Sequence, residues 1–135
     1  MITTATASLN PALVPERDAP YRLRRVYELA VDGCREEIVL ALDGANLTFR
    51  ADADADTLES RFDAVEFLPS QDHRPLAGTA FDRVAGAELG WTWLAVNQQG
   101  YCDTALLSFA GIVPAVVVHV IASSIRVFSI DAAAG

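Results

Sequence analysis

The chain has 135 residues, 18 acidic against 10 basic side chains for a formal charge of −8, and a hydrophobic fraction of 52%. That length sets a single domain with a real core as the expectation, the apolar content excludes a disordered chain, and the charge argues against binding a phosphate backbone. Every basic residue is Arg, which excludes a Schiff-base Lys and a Walker-type phosphate Lys.

Residues 1–20, MITTATASLNPALVPERDAP, are small, polar and punctuated by Pro11, Pro15 and Pro20. They lack the basic start and apolar run of a secretory signal and are expected to form a tail or an extended strap. The domain proper is expected over residues 21–135. The longest apolar run, IVPAVVV, is strand-length and far short of the ~18 residues of a membrane helix. Cys34 and Cys102 match no metal or redox spacing and read as reduced core thiols. A cytoplasmic protein without membrane or nucleic-acid contacts is the expectation; Arg22, Arg24 and Arg25 make only a short basic cluster.

From Tyr21 onward apolar and polar residues alternate. Asp32-Gly33 and Asp43-Gly44 are two-residue hairpin signals of the type I′ class. Strict pairing sets Val31 against Cys34, Leu29 against Glu36 and Tyr27 against Ile38. The second turn sets Leu42 against Ala45, Leu40 against Leu47 and Ile38 against Phe49. One face then carries Tyr27, Leu29, Val31, Cys34, Ile38, Leu40, Leu42, Leu47 and Phe49, spoiled only by Arg25 and Glu36. The other face pairs Glu37 with Arg50, a cross-strand ion pair. Leu23, Val26, Tyr27 and Ala30 also fit helical spacing, but the agreement of two turns favours a three-stranded meander.

Asp52, Asp54 and Asp56 match the first three ligand positions of a calcium loop. Thr57 stands where that loop needs Gly and Asp63 where it needs Glu. A charged, solvated strand end is therefore the preferred reading, with metal binding the weaker one and no cofactor expected. Residues 57–67 read as strand by the alternation of Leu58, Ser60, Phe62 and Ala64, although Leu58, Phe62 and Val65 also have helical spacing. Pro69, Pro75 and Gly78 place a loop over 68–79. A short helix over 80–87 would turn Phe81, Val84 and Ala85 inward. The segments AVVVHVIAS and SIRVFSI are β-branched and read as strands, the first apolar enough to be covered on both faces.

Residues 90–109 read GWTWLAVNQQGYCDTALLSF. Asn97-Gln98-Gln99-Gly100 fits a type I turn with a left-handed Gly in the fourth place, a G1-bulge hairpin. Asn97 then faces Tyr101, Ala95 faces Asp103 and Trp93 faces Ala105. One face carries Trp91, Trp93, Ala95, Asn97, Tyr101, Asp103, Ala105 and Leu107. The opposite face carries Thr92, Leu94, Val96, Cys102, Thr104 and Leu106. Both are substantially apolar, so with the second face as the main core the tryptophan face needs a cover: the 1–20 segment, the short helix, a second copy or a ligand. Asn97, Tyr101 and Asp103 suit turn and anchoring roles. With Trp91 and Trp93 they also have the aromatic-plus-polar composition of an interface.

No catalytic constellation is visible in the linear sequence. His73 lies in the Pro-bounded loop PSQDHRP and His119 among valines, neither with a second ligand at metal spacing. There is no Gly-x-Ser-x-Gly elbow and no Gly-rich phosphate loop. Cys102 and Asp103 are neighbours on one strand and point apart.

The block W-x-W-x₃-N-x₂-G-Y-x-D, followed by apolar strands and the Ser-Ser of IASSI, resembles a family of small bacterial proteins of unknown function over roughly residues 21–130. The resemblance implies a stand-alone bacterial cytoplasmic protein and brings no reaction or ligand. In size and acidity the chain is also similar to the immunity proteins of bacterial toxin systems. The sequence thus predicts a mainly β domain: an antiparallel sheet, roll or small barrel of about seven or eight strands with one short helix, or alternatively an α+β arrangement. It predicts a non-enzymatic binding protein, most simply a homodimer. The alternatives are an immunity-like protein that neutralises a basic toxin domain, and a small-molecule binder or enzyme with a pocket near Trp93, Asn97, Tyr101 and Asp103.

Overall fold

A computed structural model describes residues 8–9, 20–52 and 54–130. The expected tail or strap over 1–20, apart from residues 8, 9 and 20, and the expected fraying end over 131–135 lie outside the described residues. The elements in chain order are β1 (Ser8–Leu9), β2 (Leu23–Val31), β3 (Cys34–Leu42), β4 (Ala45–Asp52), β5 (Thr57–Asp63), β6 (Arg74–Pro75), a 3-10 turn (Ala80–Val84), β7 (Leu89–Val96), β8 (Cys102–Phe109), β9 (Pro114–Ile121) and β10 (Ser124–Ser129). They form two five-stranded antiparallel sheets, ordered β1-β7-β8-β9-β10 and β5-β4-β3-β2-β6. Among the described residues the sheets stay open and do not close into a barrel. They share one core, in which Ile38, Leu40, Leu47 and Phe49 of one sheet meet Ala105, Leu107, Val116, Val118 and Ile125 of the other. The 3-10 turn plugs this core with Phe81, whose ring meets Phe109 edge-on at 6.5 Å. Val84 packs against the same cluster while Ala85, expected inward, is exposed.

The β3–β4 hairpin has the expected register throughout: Leu42 faces Ala45, Leu40 faces Leu47, Ile38 faces Phe49 and Glu37 faces Arg50. Its turn differs from the expected type I′, because Gly44 alone takes a positive φ there. The β2–β3 turn does carry positive φ at both Asp32 and Gly33, yet its register slips two residues later. Val31 faces Cys34 and Ala30 faces Arg35, but Leu29 faces Glu37 and Tyr27 faces Val39. Glu36 is the extra residue of a bulge, and a second irregularity sets Arg24 aside so that Leu23 faces Leu42. The physical reason lies in the two residues that spoiled the strict pairing. Without the slip, Glu36 and Arg25 would sit on the core face, where unpaired charges are costly. With it, Val26 faces Leu40 and both Val26 and Leu23 are buried. Tyr27 and Leu29 are thereby moved to the other face of the sheet, Val31 is exposed, and Cys34 is an exposed free thiol instead of a core residue.

The β7–β8 hairpin shows the same device. Asn97 N–H bonds the Tyr101 carbonyl at 2.8 Å, Gly100 N–H bonds the Asn97 carbonyl at 2.9 Å, and Gly100 has φ +90°, as a G1-type turn requires. Beyond Val96↔Cys102 a bulge omits Asp103, so Ala95 faces Thr104 and Trp93 faces Leu106 instead of Ala105. This inverts the expected parity of β8. Ala105, Leu107 and Phe109 enter the core beside Thr92 and Leu94, while Leu106 and Thr104 join the tryptophan face. Beneath Trp91 the buried Ser108 hydroxyl accepts from Trp91 N–H at 2.6 Å and donates to the Gly111 carbonyl at 2.7 Å. Gly90 lies so close that an added Cβ would collide with both Ser108 Oγ and Gly111 O. In β9, Val116, Val118 and Val120 are buried, but Val117 and His119 are half-exposed and Ile121 is exposed. The strand is therefore covered on one face only, not on both as its apolar run suggested.

Candidate functional site

The two sheets leave two outer faces. On the first, cross-strand register builds an apolar row from four strands: Trp93 faces Leu106, Leu106 faces Val117 and Val117 faces Phe128. Trp91 adjoins it, with its ring 5.8 Å from that of Trp93. Trp91 and Phe128 are each 46% exposed, high for large apolar side chains and a mark of an unfilled contact.

The neighbouring row, Ala95–Thr104–His119–Arg126, is polar. The bulged Asp103 accepts from Asn97 Nδ2 at 3.1 Å and from the Thr104 hydroxyl at 2.8 Å. His119 Nδ1 lies 2.7 Å from Thr104 Oγ1 and 3.1 Å from the Asp103 carbonyl. The Thr104 proton is already given to Asp103 and a carbonyl can only accept, so Nδ1 carries the hydrogen. Of the sequence candidates, Trp91 and Trp93 thus share the apolar row, and Asn97 and Asp103 bond one another beside it. The exposed Tyr101 side chain stands apart; its N–H completes the turn on Asn97 Oδ1 at 3.2 Å.

Asp52, Asp54 and Asp56 do not converge. Asp52 Oδ1 accepts the backbone amides of Asp54 at 3.0 Å and Ala55 at 3.3 Å, and Asp56 Oδ1 accepts that of Ser123 at 3.0 Å. They form the β4–β5 turn, in which Asp56 has a left-handed φ of +54°. Among the described residues no group of three or more His, Cys, Asp or Glu is placed to hold a metal ion.

The outer face of the second sheet holds a group that the linear sequence hid. The loop after β5 folds back across it. Phe67 lies 5.3 Å from the Tyr27 ring and 5.0 Å edge-on from the His73 ring, and Val39 beneath is fully buried. Beside this cover opens a cleft of about 730 Å³, lined in part by Glu37, Asn46, Arg50, Ser70 and His73. Glu37 is buried at its floor, accepting from Arg50 Nη2 at 2.7 Å and from His73 Nε2 at 3.1 Å. His73 Nδ1 receives the Ser70 N–H at 3.1 Å and lies 2.9 Å from Ser70 Oγ. An amide can only donate, so Nδ1 is the bare acceptor nitrogen, the Ser70 hydroxyl donates to it, and Nε2–H faces Glu37. Burial alone would push the Glu37 carboxyl up, but the hydrogen bonds from Arg50 and His73 and the charge of Arg50 outweigh it and hold the group below its ordinary value. The Glu37–Arg50 pair was legible from strand register. Ser70 and His73 reach Glu37 only because of a loop whose path no local pattern specifies.

Comparison with known families gives a match over residues 20–134 to a family of unknown function (DUF6334). No curated protein and no solved structure matches the chain.

Proposed function

The chain belongs to this family of unknown function, and we propose that it acts as a self-associating interaction protein in which a second copy covers the outer face of β7–β10. The observation that carries this reading is the row Trp93–Leu106–Val117–Phe128, continuous across four strands, half-buried at its first three members and exposed at Phe128, with the exposed Trp91 beside it. Opposite charges lie along the polar row beside it, Asp103 on β8 and Arg126 on the edge strand β10. A two-fold axis along the strands brings each Arg126 toward the Asp103 side of its mate, the self-complementarity that an isologous contact needs. Four strands about 4.8 Å apart, three of them about 26 Å long and the shorter β10 about 20 Å, offer roughly 500 Å² per copy. That is the small end of specific interfaces, so the dimer is concentration-dependent. A bacterial cytoplasmic setting fits the exposed thiol of Cys34, which persists where disulfides are kept reduced.

Sedimentation velocity across a wide concentration range tests the reading. The wild type should shift from monomer to dimer as concentration rises, and Trp93→Ala should shift only at higher concentration. A wild type that stays monomeric throughout, or a variant that dimerises equally, sinks it.

A further inference from the structure

We propose that Ser70, His73 and Glu37 form an acyl-transfer site in the cleft of the second sheet, acting on uncharged or cationic esters. Ser70 Oγ is the nucleophile, His73 Nδ1 its general base and Glu37 the positioning residue. The site lies on the sheet opposite the apolar row, so it stands or falls independently of self-association.

Three features of the geometry carry the assignment. A weak nucleophile needs a base within hydrogen-bond reach and a third group that orients the base. Ser70 Oγ is 2.9 Å from Nδ1, and Nε2 is 3.1 Å from the Glu37 carboxylate. The tautomer is the productive one, with the bare nitrogen toward the hydroxyl and the N–H toward the carboxylate. Glu37 is buried and pinned by Arg50, whereas Ser70 is exposed at the cleft, where a substrate carbonyl can reach it. The amide that follows the nucleophile, Gln71 N–H, donates to no acceptor among the described residues and is available to a developing oxyanion. Glu59, Glu66 and Asp72 also line the cleft. Their charges repel anionic substrates, which sets the substrate class.

The step balances with water alone. Ser70 Oγ bonds the ester carbonyl carbon as its proton passes to His73 Nδ1. The carbon–alkoxy bond then breaks and the alcohol leaves with that proton. Water repeats the sequence: its proton goes to Nδ1, its oxygen bonds the acyl carbon, and Ser70 leaves reprotonated. Glu37 accepts from Nε2–H throughout and stabilises the transient imidazolium.

The full-length protein is treated with an alkyl fluorophosphonate and read by intact mass and peptide mapping, and its turnover of p-nitrophenyl acetate is followed in parallel. Loss of fluoride should leave one phosphonyl group on Ser70, with no adduct in Ser70→Ala. Ester turnover should fall about 100-fold or more in His73→Ala. In Glu37→Gln the plateau should fall and the acid limb of the pH–rate profile should move to lower pH, a shift that a merely structural loss does not produce. No adduct on the wild type, an adduct that persists in Ser70→Ala, or turnover unchanged in that variant overturns the proposal.

Discussion

Replacing Glu37 by Gln removes the charge at the floor of the cleft while keeping its shape. The wild-type carboxylate accepts one bond from Arg50 and one from His73. A hydrogen bond to a charged group contributes about 1.5–3 kcal/mol and a neutral one about 0.5–1.5 kcal/mol, so the exchange costs roughly 1–1.5 kcal/mol per bond. The Arg50 side chain is 62% exposed, and solvent screening discounts its share. The expected loss is about 1.5–2 kcal/mol at neutral pH. With a urea slope of about 1.5–2 kcal/mol/M, the unfolding midpoint moves down by about 1 M. The pH dependence has a definite sign. The carboxyl titrates lower in the folded chain than in the unfolded one, so its contribution is complete above the unfolded value and is lost as pH falls through the folded one. The gap between wild type and variant should therefore be full at about pH 7 and close below about pH 4. Urea melts at both pH values decide the matter. A variant as stable as wild type at neutral pH, or a gap of equal size in acid, rules out this stabilising role for the Glu37 carboxylate.

Other consequences are equally specific. Gly90→Ala forces a methyl group against Ser108 and the Gly111 carbonyl; it should cost about 1–3 kcal/mol and lower the melting temperature by roughly 5–10 °C, and an unchanged melt contradicts the close approach. Ellman's reagent should modify the exposed Cys34 at least about tenfold faster than Cys102, whose half-buried thiol is pushed up by burial; equal rates contradict that burial. Calorimetry with low-millimolar calcium should show no binding at Asp52, Asp54 and Asp56, whose oxygens serve the turn; a saturable heat lost in Asp52→Asn contradicts it.

The fold was legible wherever a turn alone sets the register. Asp43-Gly44 fixes β3 against β4, and every pair expected there is found, Glu37–Arg50 included. The β2 and β8 faces were inverted for one shared reason: a bulge adds a residue and flips all side chains beyond it. The clue was present as the misfit of Arg25 and Glu36 on an otherwise apolar face, and the bulge at Glu36 with the register slip it brings is what removes both. In β8 the clue was weaker, because both faces of the hairpin were apolar and only the position of Asp103 marked the break. The apolar row is legible in part, since the sequence places Trp91 and Trp93 on one face, but Leu106 reaches that face only through the β8 bulge, and Val117 and Phe128 join it through tertiary register. Ser70, His73 and Glu37 were illegible as a group: the last two stand 36 positions apart, and a loop path, not a periodicity, brings them together.

Self-association places a second copy of the chain over the Trp93–Leu106–Val117–Phe128 row. The most direct measurement mixes isotopically labelled and unlabelled protein and records only contacts between copies by filtered nuclear Overhauser spectroscopy. Intermolecular contacts are expected from the Leu106 and Val117 methyl groups to the rings of Trp93 and Phe128. Intermolecular contacts confined to another face, or none at concentrations where the row remains exposed, would contradict it.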